Sequence, residues 1–482
     1  MTNQNQTKSQ IFLITGEGKE HTFSTSWKTS DYFENQILLN HTIGTLVKKY
    51  TNGNYVNYLT KTTKSTNSFK NWHFTFKDNL RDSLNSPINS KTYKDILEKN
   101  ISLYYKHKGE KSLLVFSDLI GIKDFLNGKA DDITGIIADK NNNALEFSFN
   151  KSTVNFNEIL TMPYFGFLDS SEINNQYSSA EFKIQNISKN SVKLIKIKNK
   201  NSGFKELEII SLSQNSFDKI NINNEVFSII RSGAFTQSEK PSKLDNYLKV
   251  NSLPSILSSL IFGKIHHGYF SNDDNRAQLI HSFTSIFENK YSEFFKGNVL
   301  ISDSFYFDSR PLTKPKTTSS SPTPETLYIA KSKRFSEQQN NFFIKTIQSI
   351  YPKTKIISEY PQEAHQDWMK TLLSGKYYDI RFTPVHTGDY FIPEAIQMMF
   401  CSQMGVSYPD PNNKVCSFLK TIDFNKPKEN TEQLLRSIES EYYTWPLFRF
   451  GQTWHYPKKM NLSNVPTEDF SVPYIDYLIG ND

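Results

Sequence analysis

The sequence predicts an α/β protein built in more than one lobe, and three observations carry that prediction. Strand-like and helix-like segments alternate over residues 326–382. At 482 residues the chain is too long for one ordinary hydrophobic core. Its 37% hydrophobic and 14% aromatic content is enough to build cores and excludes disorder for most of the chain. The alternation begins with "TLYIA" (326–330) as a strand, followed by a Ser-capped helix over 336–352. "TKIISEY" (354–360) is the next strand and "EAHQDWMKTLLSG" (363–375) a helix closed by Gly375. "YYDIRF" (377–382) is a strand ending in a Thr/Gly turn before Asp389. β-α-β-α-β in this order is the pattern of a parallel sheet covered by helices.

The earlier part of the chain reads as follows. "QIFLI" opens with a strand, and residues 31–50 carry helical spacing through Ile37, Leu38, Ile43 and Leu46. "NWHFTF" alternates Trp72, Phe74 and Phe76 on one face of a half-buried strand. A helix with Ser90 at its start covers 90–102. Then come a short helix, a turn at Gly128, two strands joined by "DKNNN", and a short helix running into the aromatic loop "MPYFGF". Residues 180–232 read as mixed strands and a helix, 275–288 as a helix, and 313–325 as a solvated Pro/Ser/Thr loop. A final helix over 430–443 leads into the strand-like tail "WPLFRFGQTWHY".

Composition narrows the function. A net charge of +7, with lysines spread along the chain, lacks the concentrated basic face or aromatic interleaving of a nucleic-acid surface. No apolar run reaches the roughly eighteen residues of a membrane span. The start is polar and passes at once into a strand, which reads as a mature form whose export signal has been removed; a cytoplasmic protein is the other reading. Cys401 and Cys416 flank a loop-like segment. A disulfide in an oxidising compartment and two separate thiols in a core are both compatible with them.

Catalytic and metal motifs are missing. There is no GxSxG elbow and no HExxH. His266 and His267 are adjacent, so on a strand they point to opposite faces. "GEGKEHT" lacks phosphate-loop spacing. No cofactor or metal is expected, and binding rather than catalysis is the expected role.

Three co-linear stretches resemble the family 5 extracytoplasmic solute-binding proteins, the oligopeptide-binding proteins of ABC importers. The first runs from "WHFTFKDNLRDSLNSPINSKTYKDIL" to "MPYFGFL", with Ser86 in place of the family's glycine before Pro87. The second is "SNDDNRAQLIHSFTSIFENKYSEFF", centred on Arg276 and Ala277. The third is "GKYYDIRFTPVHTGDYFIPEAIQMMFCSQMG", in which Asp379, Asp389, Tyr390 and Pro393 keep the family's order and spacing.

That resemblance implies a type II periplasmic-binding-protein fold, two α/β lobes around a ligand cleft with a small extra N-terminal subdomain. Lobe I would be residues 1–41, 169–245 and 446–482, the subdomain 42–168, and lobe II 246–445. It implies a monomeric, non-enzymatic receptor, periplasmic or membrane-anchored. Such a receptor closes around an oligopeptide and passes it to an ABC permease of the inner membrane. By the same match Asp389 holds a ligand's α-amino group; a helix cap on the segment starting near Pro393 is the other reading of that carboxylate. His386 stands where the family has an aromatic, and Thr383 where it often has an arginine. Asp31 and Phe33, in "TSDYF", fall where the family forms a strand against the ligand backbone. With Tyr390 and Tyr164 these complete the expected lining. A non-peptide cargo (metal complex, haem, opine or oligosaccharide) and a cytoplasmic ligand sensor are the alternatives.

Overall fold

The computed structural model describes residues 10–16, 23, 33–49, 55–108, 116, 118–153, 156–168, 178–188, 190–197, 205–212, 227–232, 247–251, 256–263, 268–295, 299–304, 310–316, 323–332, 335–360, 378–386, 417–418, 427–442, 444–451 and 453–458. The chain divides into two compact units, residues 1–252 with 452–482, and residues 253–451.

The first unit begins with β1 (Gln10–Gly16), α1 (Phe33–Thr42), β2 (Val47–Lys49), β3 (Tyr55–Asn57), β4 (Thr60–Thr66) and β5 (Asn71–Phe76). It continues with α2 (Ser90–Lys108), α3 (Ile122–Leu126), β6 (Ile136–Asp139), β7 (Ala144–Ser148) and α4 (Phe156–Leu160). Then follow β8 (Phe182–Ile187), β9 (Ser191–Lys196), β10 (Glu206–Leu212), β11 (Phe227–Ser232) and β12 (Tyr247–Asn251). The second unit holds β13 (Ile256–Phe262), α5 (Asp273–Phe294), β14 (Val299–Ile301), β15 (Thr326–Ala330), α6 (Glu337–Ile350) and β16 (Lys355–Glu359). It ends with β17 (Ile380–His386), α7 (Pro427–Glu441) and β18 (Thr444–Phe450), after which β19 (Thr453–Pro457) returns to the first unit.

Among the described residues four sheets organise these strands, the smallest being the pair β2-β3. The first unit's large sheet has the order β12-β19-β11-β1-β10-β9-β8, with β1 parallel to β10 and β11. Its smaller four-stranded sheet runs β4-β5-β7-β6 and is antiparallel throughout. The second unit's sheet runs β14-β18-β13-β17-β15-β16. There β16, β15 and β17 are parallel, as the alternating pattern predicts, while β13 and β18 add antiparallel pairs.

The four-stranded sheet and the second unit's sheet are each held by an aromatic core. Trp72, Phe74 and Phe76 on β5 are buried, as their alternation predicts; Trp72 and Phe74 pack with the fully buried Phe156 of α4 and Phe76 with Tyr93 of α2. Phe147 and Phe149 meet Phe156 edge-on with centroids 4.8 and 4.9 Å away, the arrangement that ring quadrupoles favour. In the second unit Phe382 of β17 stacks on Phe343 of α6 at 4.2 Å, and Phe283 of α5 stacks on it at 5.3 Å. Helix α6 starts at a complete capping box: the Ser336 hydroxyl accepts from the Gln339 N–H while the Gln339 amide oxygen accepts from the Ser336 N–H.

Two expectations are corrected. The helix predicted over 31–50 stops at Thr42, because the chain is drawn into a bridge with Phe167: the Phe167 N–H donates to the Gly44 carbonyl at 2.7 Å. Only glycine fits there, since a Cβ on Gly44 would lie 2.7 Å from the Ser179 carbonyl. The strand predicted over 377–382 instead spans Ile380–His386, so "TPVH" is strand and not turn. The helix expected over 363–375 lies outside the described residues, as do His266 and His267. The C-terminal "WPLFRFGQTWHY" is two strands in two different sheets, β18 in the second unit and β19 in the first.

Candidate functional site

Register places the ends of several strands in common rows. In the second sheet, Ile256 pairs with His386 and with Phe450, and Phe450 also pairs with Val299. His386, the last residue of β17, therefore stands level with the start of β13 and the end of β18. In the first unit's large sheet, Gly16 pairs with Leu212 and Ser232, Ser232 with Thr453, and Thr453 with Asn251. This row is the carboxyl end of the three parallel strands β1, β10 and β11. The chain leaves one row and enters the other through residues 252–255 and returns through 451–452. Open α/β sheets hold ligands at the carboxyl ends of their strands. Both passages between units thus begin and end at these strand-end rows.

β17 has an unusual position on its edge. β13 pairs with it along its whole length, from Ile380 to His386. β15 pairs with it at Ile380 and Arg381 alone, and among the described residues no strand lies alongside Phe382–His386 on that side. Pro384 fits this half-open stretch, since proline inside sheets is confined to edges and strand ends.

At the carboxyl ends of β15 and β16 lies a small polar cluster that the sequence reading did not single out. The Lys331 ammonium pairs with Glu337 at 2.7 Å, and the Tyr360 hydroxyl donates to the other Glu337 oxygen at 2.5 Å. The Tyr378 hydroxyl donates to Glu359 at 3.2 Å. Hydrogen bonds from Lys331 and Tyr360 hold the Glu337 carboxyl below the usual carboxylate range. Burial first, and the facing carboxylate second, push the Tyr360 and Tyr378 phenols up to about 12.

The expected site residues fall as follows. His386 closes β17 at the row described above. Asp389 and Tyr390 follow it and lie outside the described residues, as do Asp31, Cys401 and Cys416. Phe33 is the first residue of α1, whose buried Ile37 and Leu38 keep the helical spacing, and the rest of "TSDYF" lies outside the described residues. Tyr164 sits in a 3-10 turn, half-buried at the rim of the first unit's aromatic core, its ring 5.3 Å from that of Tyr104. Among the described residues no His/Cys/Asp/Glu group is arranged to hold a metal, and no helix is long and apolar enough to cross a membrane.

Two residues of the resemblance motifs are internal ties. Arg276 is buried on α5. Its Nε donates to the Glu441 carbonyl at 2.9 Å, one Nη donates to the Phe270 carbonyl at 2.5 Å, and the other bonds the Asp273 carboxylate. Asp379 is buried too, with its carboxylate accepting the Tyr328 N–H at 2.8 Å.

No family model matches the chain, and no curated protein sequence matches it. Solved structures do. Haemophilus influenzae OppA, in complex with the peptide RPPGFSPFR, superposes with a TM-score of 0.72 at 11% identity, covering 98% of this chain and 99% of its own. The pheromone receptor PrgZ, described with its mode of peptide binding, gives 0.72 at 12%, covering 96% and 98%. Campylobacter jejuni NikZ, in complex with Ni(L-His), gives 0.72 at 11%, covering 98% of both chains. The chain has the fold of the family 5 solute-binding proteins. In this solute-binding fold the rows at 256/386/450 and 16/232/453 are the ends of the segments that join its two units.

Proposed function

We propose that this chain is an extracytoplasmic, non-enzymatic substrate-binding protein that captures oligopeptides as its two lobes close and delivers them to an ABC permease. The observation that carries the reading is β17, beside which, among the described residues, no strand lies on one side over Phe382–His386. An extended peptide can add to such an edge as a strand, which binds main chain with little regard to side chains. Asp389, shortly beyond, is proposed to take the peptide's α-amino group, with Tyr390 and His386 beside it. Asp31, Phe33 and Tyr164 complete the proposed lining. The peptide held by OppA and the peptide binding described for PrgZ support the same reading. We further propose that the working form is a monomer, periplasmic or membrane-anchored, with a small subdomain at 42–168 in the first unit.

A second reading keeps the fold and changes the cargo. His386 in place of an aromatic supplies an imidazole where a metal complex could be held. Similar folds are described with Ni(L-His) and with agropinic acid.

Native mass spectrometry of the freshly purified protein separates the two. A ladder of peptide masses, lost in Asp389→Ala, is the expected result. A single non-peptide mass would replace the cargo, and a protein that neither carries nor takes up any peptide would overturn the first reading.

A further inference from the structure

Where β15 stops determines how much of the β17 main chain stays uncovered. The ladder between them is short, two residue pairs, Ile329 with Ile380 and Ala330 with Arg381. Such a ladder specifies register weakly. A slide of β15 by two residues would return Ile329 to the same face of the sheet, so the hydrophobic pattern alone does not oppose it. It would carry Ala330 level with Thr383 and cover the start of the open edge.

Asp379 opposes that slide from three directions. Its carboxylate accepts the Tyr328 N–H at 2.8 Å, its own N–H donates to the Tyr328 carbonyl at 2.8 Å, and its carbonyl accepts the Gly263 N–H at 3.0 Å. One buried residue thereby ties β15, β17 and the end of β13. The carboxylate bond adds a second tie to the same Tyr328 backbone that the ladder bond holds. Beyond Ala330 the chain is then led away. Lys331 N–H donates to the Glu359 carbonyl at 2.9 Å, and the buried Asn340 side chain accepts the Ser332 N–H at 3.0 Å. The Asn340 amide also donates to the carbonyls of Ser332, Phe335 and Ser336.

We infer that Asp379 is a positioning residue for ligand binding: it fixes the end of β15 opposite Arg381 and so keeps β15 from covering the β17 main chain over Phe382–His386. The inference rests on the reading that this edge receives the ligand's main chain.

Asp379→Asn keeps an oxygen for the Tyr328 N–H, and Asp379→Leu has similar size without one. Two measurements on the full chain test the pair: affinity for a random-sequence pentapeptide mixture, and amide exchange over 326–330 and 380–386. Asp379→Asn should bind within about threefold of wild type, while Asp379→Leu should lose about tenfold or more, the scale of one charge-assisted hydrogen bond. Exchange over 326–330 should rise in Asp379→Leu while the amides of the β13–β17 ladder keep their wild-type rate. If Asp379→Leu does not fold, Asp379→Ala replaces it with the same expectations. Wild-type affinity and exchange in Asp379→Leu would overturn the inference. A wild type that takes no peptide would instead sink the oligopeptide reading. The exchange result would then decide alone whether Asp379 locks the register.

Discussion

Single residues carry much of what makes this fold specific, and two of them give direct tests. A Cβ on Gly263 would lie 2.0 Å from the Tyr378 carbonyl oxygen, closer than any non-bonded contact allows. Backbone must therefore move, and Gly263→Ala should destabilise by about 1–3 kcal/mol, read as a lower denaturant midpoint at unchanged slope. His41 is buried on α1, its Nδ1 within 2.8 Å of the Ile37 carbonyl, and burial pulls its imidazole down to about 4. The unfolded chain takes up a proton near pH 6.5 that the folded chain refuses until pH 4. Stability should therefore fall as pH drops across that window, by at most about 1.4 kcal/mol per pH unit. His41→Gln should flatten that slope in pH-dependent melting, and a slope unchanged by the substitution would rule His41 out as its source. None of these roles was legible in the sequence, because each depends on a neighbour distant in the chain. Asp379 was legible as part of a motif, but its work as an internal tie was not.

At the scale of elements, the sequence was most informative where a periodic face met a chemical punctuation mark. The buried alternation of β5 and the Ser336 cap of α6 both stand where the residues indicated. Ser336→Ala should cost about 1 kcal/mol, measured as a drop in melting temperature of the second unit. β17 was misread at its carboxyl end, because Pro384 and the following Thr-Gly resemble a turn when nothing reveals that the strand has one open side. Helix α7 shows a tie that periodicity could not reveal. Arg310 forks onto Glu432 and Glu439, with nitrogen–oxygen distances from 2.6 to 3.1 Å, and pins the 310–316 segment to the helix. Hydrogen bonds from Arg310 hold both carboxyls below their usual range. A depressed carboxyl contributes stability above its unfolded pKa and loses it as pH falls through the folded one. Arg310→Ala should thus cost about 1 kcal/mol at neutral pH, after allowance for its partial exposure, and the deficit should vanish as both carboxyls protonate. A deficit that persists in acid would assign the loss to packing of the arginine stem instead.

At the scale of the molecule, the fold was readable from co-linear motifs even though no family model and no curated sequence matches the chain, and OppA, PrgZ, NikZ and the agropinic-acid-bound structure share 11–13% identity with it. What survives at that distance is element order and the register that brings strand ends into common rows. Ligand capture should appear at this scale as well. A peptide mixture at about a hundred times its dissociation constant should stabilise the folded chain by about 2.7 kcal/mol, and Asp389→Ala should abolish that gain. The sheet order carries one more consequence. β19 lies between β11 and β12, yet it is made last of the strands in its sheet. A ribosome that has finished β12 must still synthesise the whole second unit before residue 453 emerges. Throughout that interval the nascent first unit has β11 as a bare sheet edge, and β12 waits with no neighbour. Completion of the first unit's sheet is therefore tied to synthesis of the whole second unit. A chain truncated before residue 453 should remain sensitive to protease and prone to self-association, however complete its other strands.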